Sequence, residues 1–311
     1  MRTFDVVSAG LMVMDIIASP VGREVFERDT VYPDKIAYSA GGDALNVAIN
    51  LAKLGAKVAI AGCVGKDPAG QALKNRLEEG GVDTGLIDVR SGVSTATSMI
   101  LCDPAGERHF IYAPGANDLF GGGMLTDEVL RSARMLYVGS AMPLPGLENG
   151  VLASLLRRAR SLGLITAMDA AGTPDPSWKK RIESALPEAD IFIPSLLEAQ
   201  AITGEEKPED AARYLRTHGV KVAGVKLGAD GCYIDDGVGR FIPAFHSAKP
   251  VDTTGAGDAF MAGFARGALM GWPAEKCARL GCAMGASCIG SLGSTSHAAT
   301  MESMLRIMGD T

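Results

Sequence analysis

No apolar run in this chain approaches the ~20 residues that a membrane-crossing helix requires. The opening, MRTFDVVSAG, has no long apolar stretch ending in a small-residue cleavage site. From these absences we expect a cytoplasmic protein with no membrane partner. Basic charge is also scarce: 30 Lys and Arg stand against 36 Asp and Glu, a net charge of −6. DNA or RNA binding usually needs a basic face, so nucleic acid is excluded as the main partner, whereas a local anion pocket is not. None of the six cysteines (Cys63, Cys102, Cys232, Cys277, Cys282 and Cys288) forms a CxxC pair. That removes zinc and redox sites of this type and leaves small apolar core thiols. Internal repeats, low-complexity tracts and disordered linkers are missing too. No G-x-G-x-x-G follows the first expected strand, which argues against a Rossmann oxidoreductase.

What is present is an ordinary globular composition over 311 residues, 47% hydrophobic and 21% charged, enough for one large core or a large domain with a small appendage. Strand and helix signals alternate. Residues 4–9 read as a β-rich strand stopping at Gly10, and residues 41–55 as a glycine turn feeding a helix with apolar Leu45, Ala48, Ile49 and Ala52. KVAIAGCVG is a buried strand, followed by a helix over 68–79 with Pro68 in its first turn. MLYVGSA, LITAMDA, ADIFIPS and VKVAGVKLG are further strands, with helices over 147–162, from Ser195, over 256–270 and over 274–289. Repeated β-then-α order implies a parallel sheet covered on both faces, with ligands outside the carboxyl ends of its strands. Two segments, about 11–40 and 95–113, break the order and read as extended. TATSMILCDPAGERHFIYAPGAN is a hairpin pattern with its turn at 103–106, and these pieces together suit a small β-lid on a single domain spanning 1–311.

The stretch carrying the chemistry is PVDTTGAGDAFMAGF, residues 250–264. Gly255 and Gly257 let backbone N–H groups approach a ligand closely, and the helix that starts there adds its positive N-terminal end, making an anion cradle. Asp258 sits where a carboxylate can accept a proton from a hydroxyl held before that cradle, as phosphoryl transfer demands. Alone, the string fits a first-turn helix acid equally well.

DTTGAGDAFMAGF resembles the C-terminal signature of the ribokinase-like (PfkB) carbohydrate kinase family, and SAGGDALNVAINLAKLG resembles its N-terminal glycine signature. Element order is similar as well, so the resemblance covers roughly residues 4–305. It implies a three-layer α/β/α domain with a mostly parallel central sheet and a small β-sheet lid. The implied activity is ATP-dependent phosphoryl transfer, with Mg²⁺, to a hydroxyl of a small sugar or sugar acid. Asp258 would be the base, and the backbone of Gly255, Ala256 and Gly257 the anion hole. Substrate contacts fall on Asp15, Gly41, Gly42 and Asn46, with Asp43 either joining them or capping the helix. Arg108 could meet a carboxylate of a sugar acid.

For the nucleotide, the resemblance points to Lys226, Gly228 and Gly231 in VKLGADGCYI, and to an adenine pocket near Cys282 and Ala283. The family's NxxE motif departs here to PSLLEAQAITG: Ser195 replaces Asn, while Glu198 is retained to hold Mg²⁺ through water. Ser195 equally suits a helix N-cap. Asp252, Thr254 and carbonyls near Gly293 match a K⁺ site, and lid strands of such kinases often pair between subunits, implying a homodimer. GSAMPLP carries no acid where ribokinase has a glutamate, which disfavours ribose. Met12, Met14, Phe110, Tyr112 and Asn117 are candidate lid-wall residues, and His109 reads as a strand-surface residue. A nucleoside kinase, with Met and aromatic lid residues stacking on a base, is the alternative substrate reading. A non-catalytic sugar or nucleotide sensor is the alternative of another class, favoured only by Ser195.

Overall fold

β1 (Phe4–Ala9) lies deep in the sheet because it has apolar residues facing both ways: Val7 and Ala9 enter one core, Val6 the other. The computed structural model describes residues 2–105, 107–245 and 250–310. Gly106, expected to complete the hairpin turn, lies outside them.

β1 pairs in parallel with β4 (Val58–Gly65), and β4 with β5 (Asp83–Arg90). On its other side it pairs in parallel with β8 (Ala133–Val138), followed by β9 (Ile165–Met168), β10 (Ile191–Phe192) and β11 (Val222–Lys226). β12 (Cys232–Asp235) and β13 (Gly239–Ile242) add an antiparallel edge. The nine-stranded order is β13-β12-β11-β10-β9-β8-β1-β4-β5. A separate four-stranded sheet, β3-β2-β6-β7, joins β2 (Val13–Ser19), β3 (Lys35–Gly41), β6 (Thr97–Cys102) and β7 (Arg108–Ala113). The expected large, mostly parallel sheet with a small second sheet is therefore present.

Helices cover both faces of the large sheet. On the Val7 side, α4 (Val151–Ser161) and α5 (Trp178–Ile182) bury Leu152, Leu155, Leu156, Trp178 and Ile182. On the other side, α1 (Asp43–Lys53), α2 (Pro68–Glu79), α8 (Ala256–Leu269) and α9 (Ala274–Cys288) bury Leu45, Ile49, Leu73, Phe264 and Cys277 against Val6, Met135 and Tyr137. Short α3 (Asp127–Arg131) precedes β8; α6 (Leu196–Thr203) and α7 (Pro208–Thr217) flank the far end; α10 (Met301–Met308) sets Met304 and Met308 among α9 residues. Of these, the start of α6 matches the expected helix entry at Ser195, which is its N-cap residue.

The weakest link in the sheet by length is β10, whose two residues bridge β9 and β11. Side-chain burial holds it, since Ile191 and Phe192 face opposite cores and Phe192 is fully buried. Phe192→Ala is expected to lower unfolding free energy by about 3–5 kcal/mol. Urea unfolding followed by circular dichroism checks this; a loss within about 1 kcal/mol would mean the strand is held by its ladder and not by its core contact.

Candidate active site

The carboxyl end of β11 meets the N-terminus of α8 through Lys226. Gly255, the residue before α8, has φ +76°, and a Cβ there would stand 2.2 Å from the Ser294 Cβ. Both the left-handed backbone and the close approach therefore require glycine. Ala256 and Gly257 form the first turn; the Ala256 N–H donates to the Thr253 carbonyl at 3.3 Å, and the Gly257 N–H belongs to the open helix start. A Cβ on Gly257 would meet the Lys226 Nζ at 3.5 Å, so this ammonium stands directly before the cradle.

Asp258 follows in the same turn. The Asn46 Nδ2 donates to its Oδ2 at 2.8 Å, joining two residues 212 apart, and the Ser294 hydroxyl donates to the Asn46 Oδ1 at 2.8 Å. One amide side chain is thereby oriented at both ends. Burial pushes the Asp258 carboxyl up to about 6. The Asn46 hydrogen bond and the Lys226 charge oppose the rise, while the Asp169 and Glu198 charges add to it.

Asp43 lies close enough to Asp258 to be raised by its charge in addition to burial, and it accepts a short hydrogen bond from the Ser140 hydroxyl. Of its two expected roles, no cap hydrogen bond from its side chain is present; Gly42, at φ +93°, is the N-cap residue of α1. Lys226 ends β11 and its Nζ lies 2.6 Å from the Asp169 Oδ2. Burial disfavours both charges: for Lys226 the Asp169 and Glu198 charges outweigh it and hold the ammonium above its ordinary value, whereas for Asp169 burial outweighs the Lys226 charge and pushes the carboxyl up to about 7.

Two cavities flank this centre. One of about 470 Å³ is bordered by Lys226, Gly228, Gly231, Cys282, Phe245 and Ala286, and is largely apolar. It brings together four of the expected nucleotide residues. Ser195 and Glu198 are not on its wall: the Glu198 Oε2 accepts the Ser195 N–H at 2.7 Å, closing the first turn of α6. Ala283 turns away to pack with Leu280 and Met304, because neighbouring helix positions point about 100° apart.

The second cavity, about 390 Å³, is bordered by Asp15, Ser39, Arg108, Asp252, Thr254 and Gly293. Asp15 lies across Gly41, where a Cβ would stand 2.2 Å from the Asp15 Oδ2, and burial pushes its carboxyl up to about 7. Arg108 reaches the α8 loop instead of standing free for a substrate. Its guanidinium donates to the Thr254 hydroxyl, lies 3.3 Å from the Thr253 hydroxyl and 3.5 Å from the Asp252 Oδ1. Asp252 also accepts from the Thr254 N–H at 2.9 Å, the Thr254 hydroxyl at 2.6 Å and the Gly293 N–H at 2.9 Å. Burial would raise this carboxyl, but these donors, with the Arg108 charge, bring it below the ordinary value. Gly293 thus meets Asp252 through its N–H, whereas the sequence pointed to nearby carbonyls.

Lid-wall expectations divide. Met12 and Met14 are buried in the core beside α1, so they are not free to stack on a base. Asn117 is fully buried and bonds the Met12 backbone through both ends of its amide, at 3.1 and 3.4 Å, and the Tyr112 hydroxyl at 3.2 Å. Arg108, Phe110 and Tyr112 share one face of β7, and exposed His109 lies on the other. Asp169, Ser140 and Ser294 were missed. Only Asp169 left a signal: an acid ending the apolar strand LITAM must find a partner.

The chain matches the pfkB family carbohydrate kinase family over residues 3–301. It is 32% identical over 250 residues to an uncharacterized sugar kinase of Archaeoglobus fulgidus, covering 79% of this chain and 96% of that protein. It is 30% identical to fructokinase-2 of Solanum lycopersicum, covering 82% of this chain and 79% of that protein. Its fold matches that of Arabidopsis thaliana ribokinase, solved with ribose and ATP, at a TM-score of 0.85 and 23% identity over 98% of this chain and 99% of that one. Fold and family define an ATP-dependent phosphotransferase acting on an alcohol group, and the sensor alternative gives way to catalysis. The chain belongs to the pfkB family of carbohydrate kinases.

Because the Asn46 amide favours the ionised form of Asp258, Asn46→Leu is expected to raise the Asp258 pKa above about 6. Carboxyl ¹³C titration by NMR, read against Asp258→Asn for assignment, checks this; an unmoved or lowered value would show that the hydrogen bond does not tune the acid.

Proposed function

We propose that Asp258 is the base of a sugar or sugar-acid kinase, and that the hydroxyl it deprotonates attacks a phosphoryl group cradled by the N–H groups of Gly255, Ala256 and Gly257. The observation that carries this reading is the Asn46–Asp258 hydrogen bond, which brings the glycine signature near the N-terminus onto the acid of the second signature. A buried carboxylate near neutrality is a competent base at physiological pH, and fixed N–H donors stabilise phosphoryl charge without reorganising. Lys226 supplies a positive charge beside the cradle, its direction held by Asp169.

Asp15, Gly41, Gly42, Asp43 and Asn46 are the proposed sugar contacts. Asp15 and Asp43 can accept substrate O–H groups, and Gly41 leaves room beside Asp15 that a side chain would fill. Arg108 borders the second cavity, where an acidic group on the sugar would recruit its guanidinium from Thr253, Thr254 and Asp252. Exposed Phe110 and Tyr112 on the Arg108 face keep a nucleoside as the second reading.

The nucleotide is proposed to occupy the cavity at Lys226, Gly228, Gly231 and Cys282, with Ser195 and Glu198 beyond the phosphates. Four acids (Asp43, Asp169, Glu198 and Asp258) act on Lys226 or on one another. That negative surplus fits a hydrated Mg²⁺ held through Glu198, which when bound would offset phosphate charge. A K⁺ at Asp252, Thr254 and Gly293 belongs to the same proposal; it would share carboxylate oxygens that already accept from Thr254 and Gly293.

A homodimer is proposed through the outer face of the small sheet. Tyr38, Ile16, Met99 and Ile111 form one row across its four strands, with Tyr38 74% exposed. Such an apolar face favours burial against a second copy. A cytoplasmic location is supported by six free thiols, the state kept by a reducing compartment. Among the described residues, no helix is long and apolar enough to cross a membrane.

The test is a panel of sugars, sugar acids and nucleosides with ATP, Mg²⁺ and K⁺. Asp258→Asn is expected to lower turnover of the accepted substrate by ~10²–10⁴-fold with little change in ATP affinity. Full activity in that variant would refute the assigned base. In the wild type, kcat should fall as pH drops through about 6, since the base must be ionised; a flat profile from pH 7 to 5 counts against it. For the assembly, Tyr38→Glu with Met99→Glu should give monomers in sedimentation velocity, and an unchanged dimer would move the interface elsewhere.

A further inference from the structure

β12 opens immediately after Gly231, on the wall of the larger cavity, and its first residue is Cys232. α9 presents Cys282 to that wall. Their Sγ atoms are 4.0 Å apart, a thiol contact between residues 50 apart in the chain. Cys232 is fully buried, whereas Cys282 is 6% exposed and borders the cavity, so a small reagent entering there meets Cys282 first. Phosphoryl transfer uses neither sulfur.

The two thiols are chemically unequal. Either sulfur can donate in this contact, and the hydrogen bond with Cys232 brings the Cys282 pKa below the ordinary thiol value; burial opposes it and Arg279, one turn earlier on α9, assists it. The same contact, with burial, pushes Cys232 up. Cys277 and Cys288, which lack a thiol neighbour of this kind, are pushed up by burial to about 12. Thiolate character is thus concentrated on the sulfur that the cavity exposes.

We propose that Cys282 and Cys232 are a peroxide-reactive thiol pair whose disulfide reversibly closes the wall of the nucleotide cavity. The Cys282 thiolate attacks one oxygen of a hydroperoxide, forming an S–O bond as the O–O bond breaks; the departing hydroxide or alkoxide takes up a proton. The sulfur is oxidised to a sulfenic acid and the peroxide is reduced. The Cys232 sulfur then attacks the sulfenic sulfur, an S–S bond forms, and the hydroxyl leaves as water with the Cys232 proton. Two thiols and one hydroperoxide give one disulfide, one water and one alcohol or second water. A dithiol reductant reverses the step. Because an S–S bond is about 2.05 Å long, its formation draws the two sulfurs about 2 Å closer and ties β12 to α9 across the cavity wall.

The inference rests on the nucleotide's occupying this cavity, and the experiment separates the two. The full-length protein is treated with hydrogen peroxide, alkylated and mapped by peptide mass spectrometry. ATP binding is measured by calorimetry before oxidation, after it, and after dithiothreitol. We expect a Cys232–Cys282 disulfide and a several-fold weaker ATP Kd that dithiothreitol restores. Cys232→Ala should bind ATP as the reduced wild type does, with or without peroxide. A map without that bond, a bond that leaves the Kd unaltered, or an equal loss in peroxide-treated Cys232→Ala overturns the pair. Ala286→Trp, which fills the cavity, tests the nucleotide reading by itself: undiminished ATP binding by that reduced variant removes the nucleotide from the cavity whatever the thiols do.

Discussion

A carboxylate taken out of water at the start of α8 is the constraint around which this site is arranged. Asp258 needs a donor, and Asn46 supplies it; Asn46 needs an acceptor satisfied at its other end, and Ser294 supplies that hydroxyl. Ser294 belongs to a loop held from below by Lys53, whose Nζ donates to the Thr295 and His297 carbonyls at 2.7 Å each. Arg76 adds a contact to the Thr295 carbonyl at 3.2 Å. Burial, with the nearby Arg76 charge, brings the Lys53 pKa down to about 8, so α1 commits a costly cation to fixing this loop. Three segments far apart in sequence are locked together because one buried charge cannot be left unpaired.

The same low-dielectric setting governs the electrostatics. Asp43, Asp169 and Asp258 are all raised by burial and by one another, with Lys226 the opposing cation common to all three. Folding such a cluster is unfavourable taken by itself. It leaves carboxylates near the pH at which a proton can be accepted and passed on, which is the usual physical origin of a general base. The ion pair of Lys226 with Asp169 also fixes where the ammonium points, so the cradle has a positive neighbour without a mobile side chain.

In the small sheet, the two-residue period of a strand separates two tasks. Asp15 and Arg108 lie on the face that borders the second cavity, and Tyr38, Met99 and Ile111 on the face turned away from it. Arg108 ties the inner face to the loop before α8 through Thr253, Thr254 and Asp252. Met12 and Met14 fall out of the wall because the chain there is still leaving the large core.

The alternating strands and helices, the two-faced burial of the large sheet, the glycine-opened start of α8 and the acid within its first turn were all legible in the sequence. Each is a local property: period, turn chemistry, and a helix end that must be left open or capped. The Ser195 N-cap was legible for the same reason, since a first-turn Glu198 returns to the backbone three residues earlier. Pairings between remote residues were not. The Lys226–Asp169 ion pair, the Ser140–Asp43 hydrogen bond, the turn of Arg108 toward Thr254 and the Cys232–Cys282 contact depend on which strands become neighbours. Sequence by itself determined the elements and the residue types at their ends, because those follow from short-range sterics and hydrogen bonding. The tertiary structure alone decided which buried charges face each other, because strand order and helix packing bring together residues that no local pattern connects.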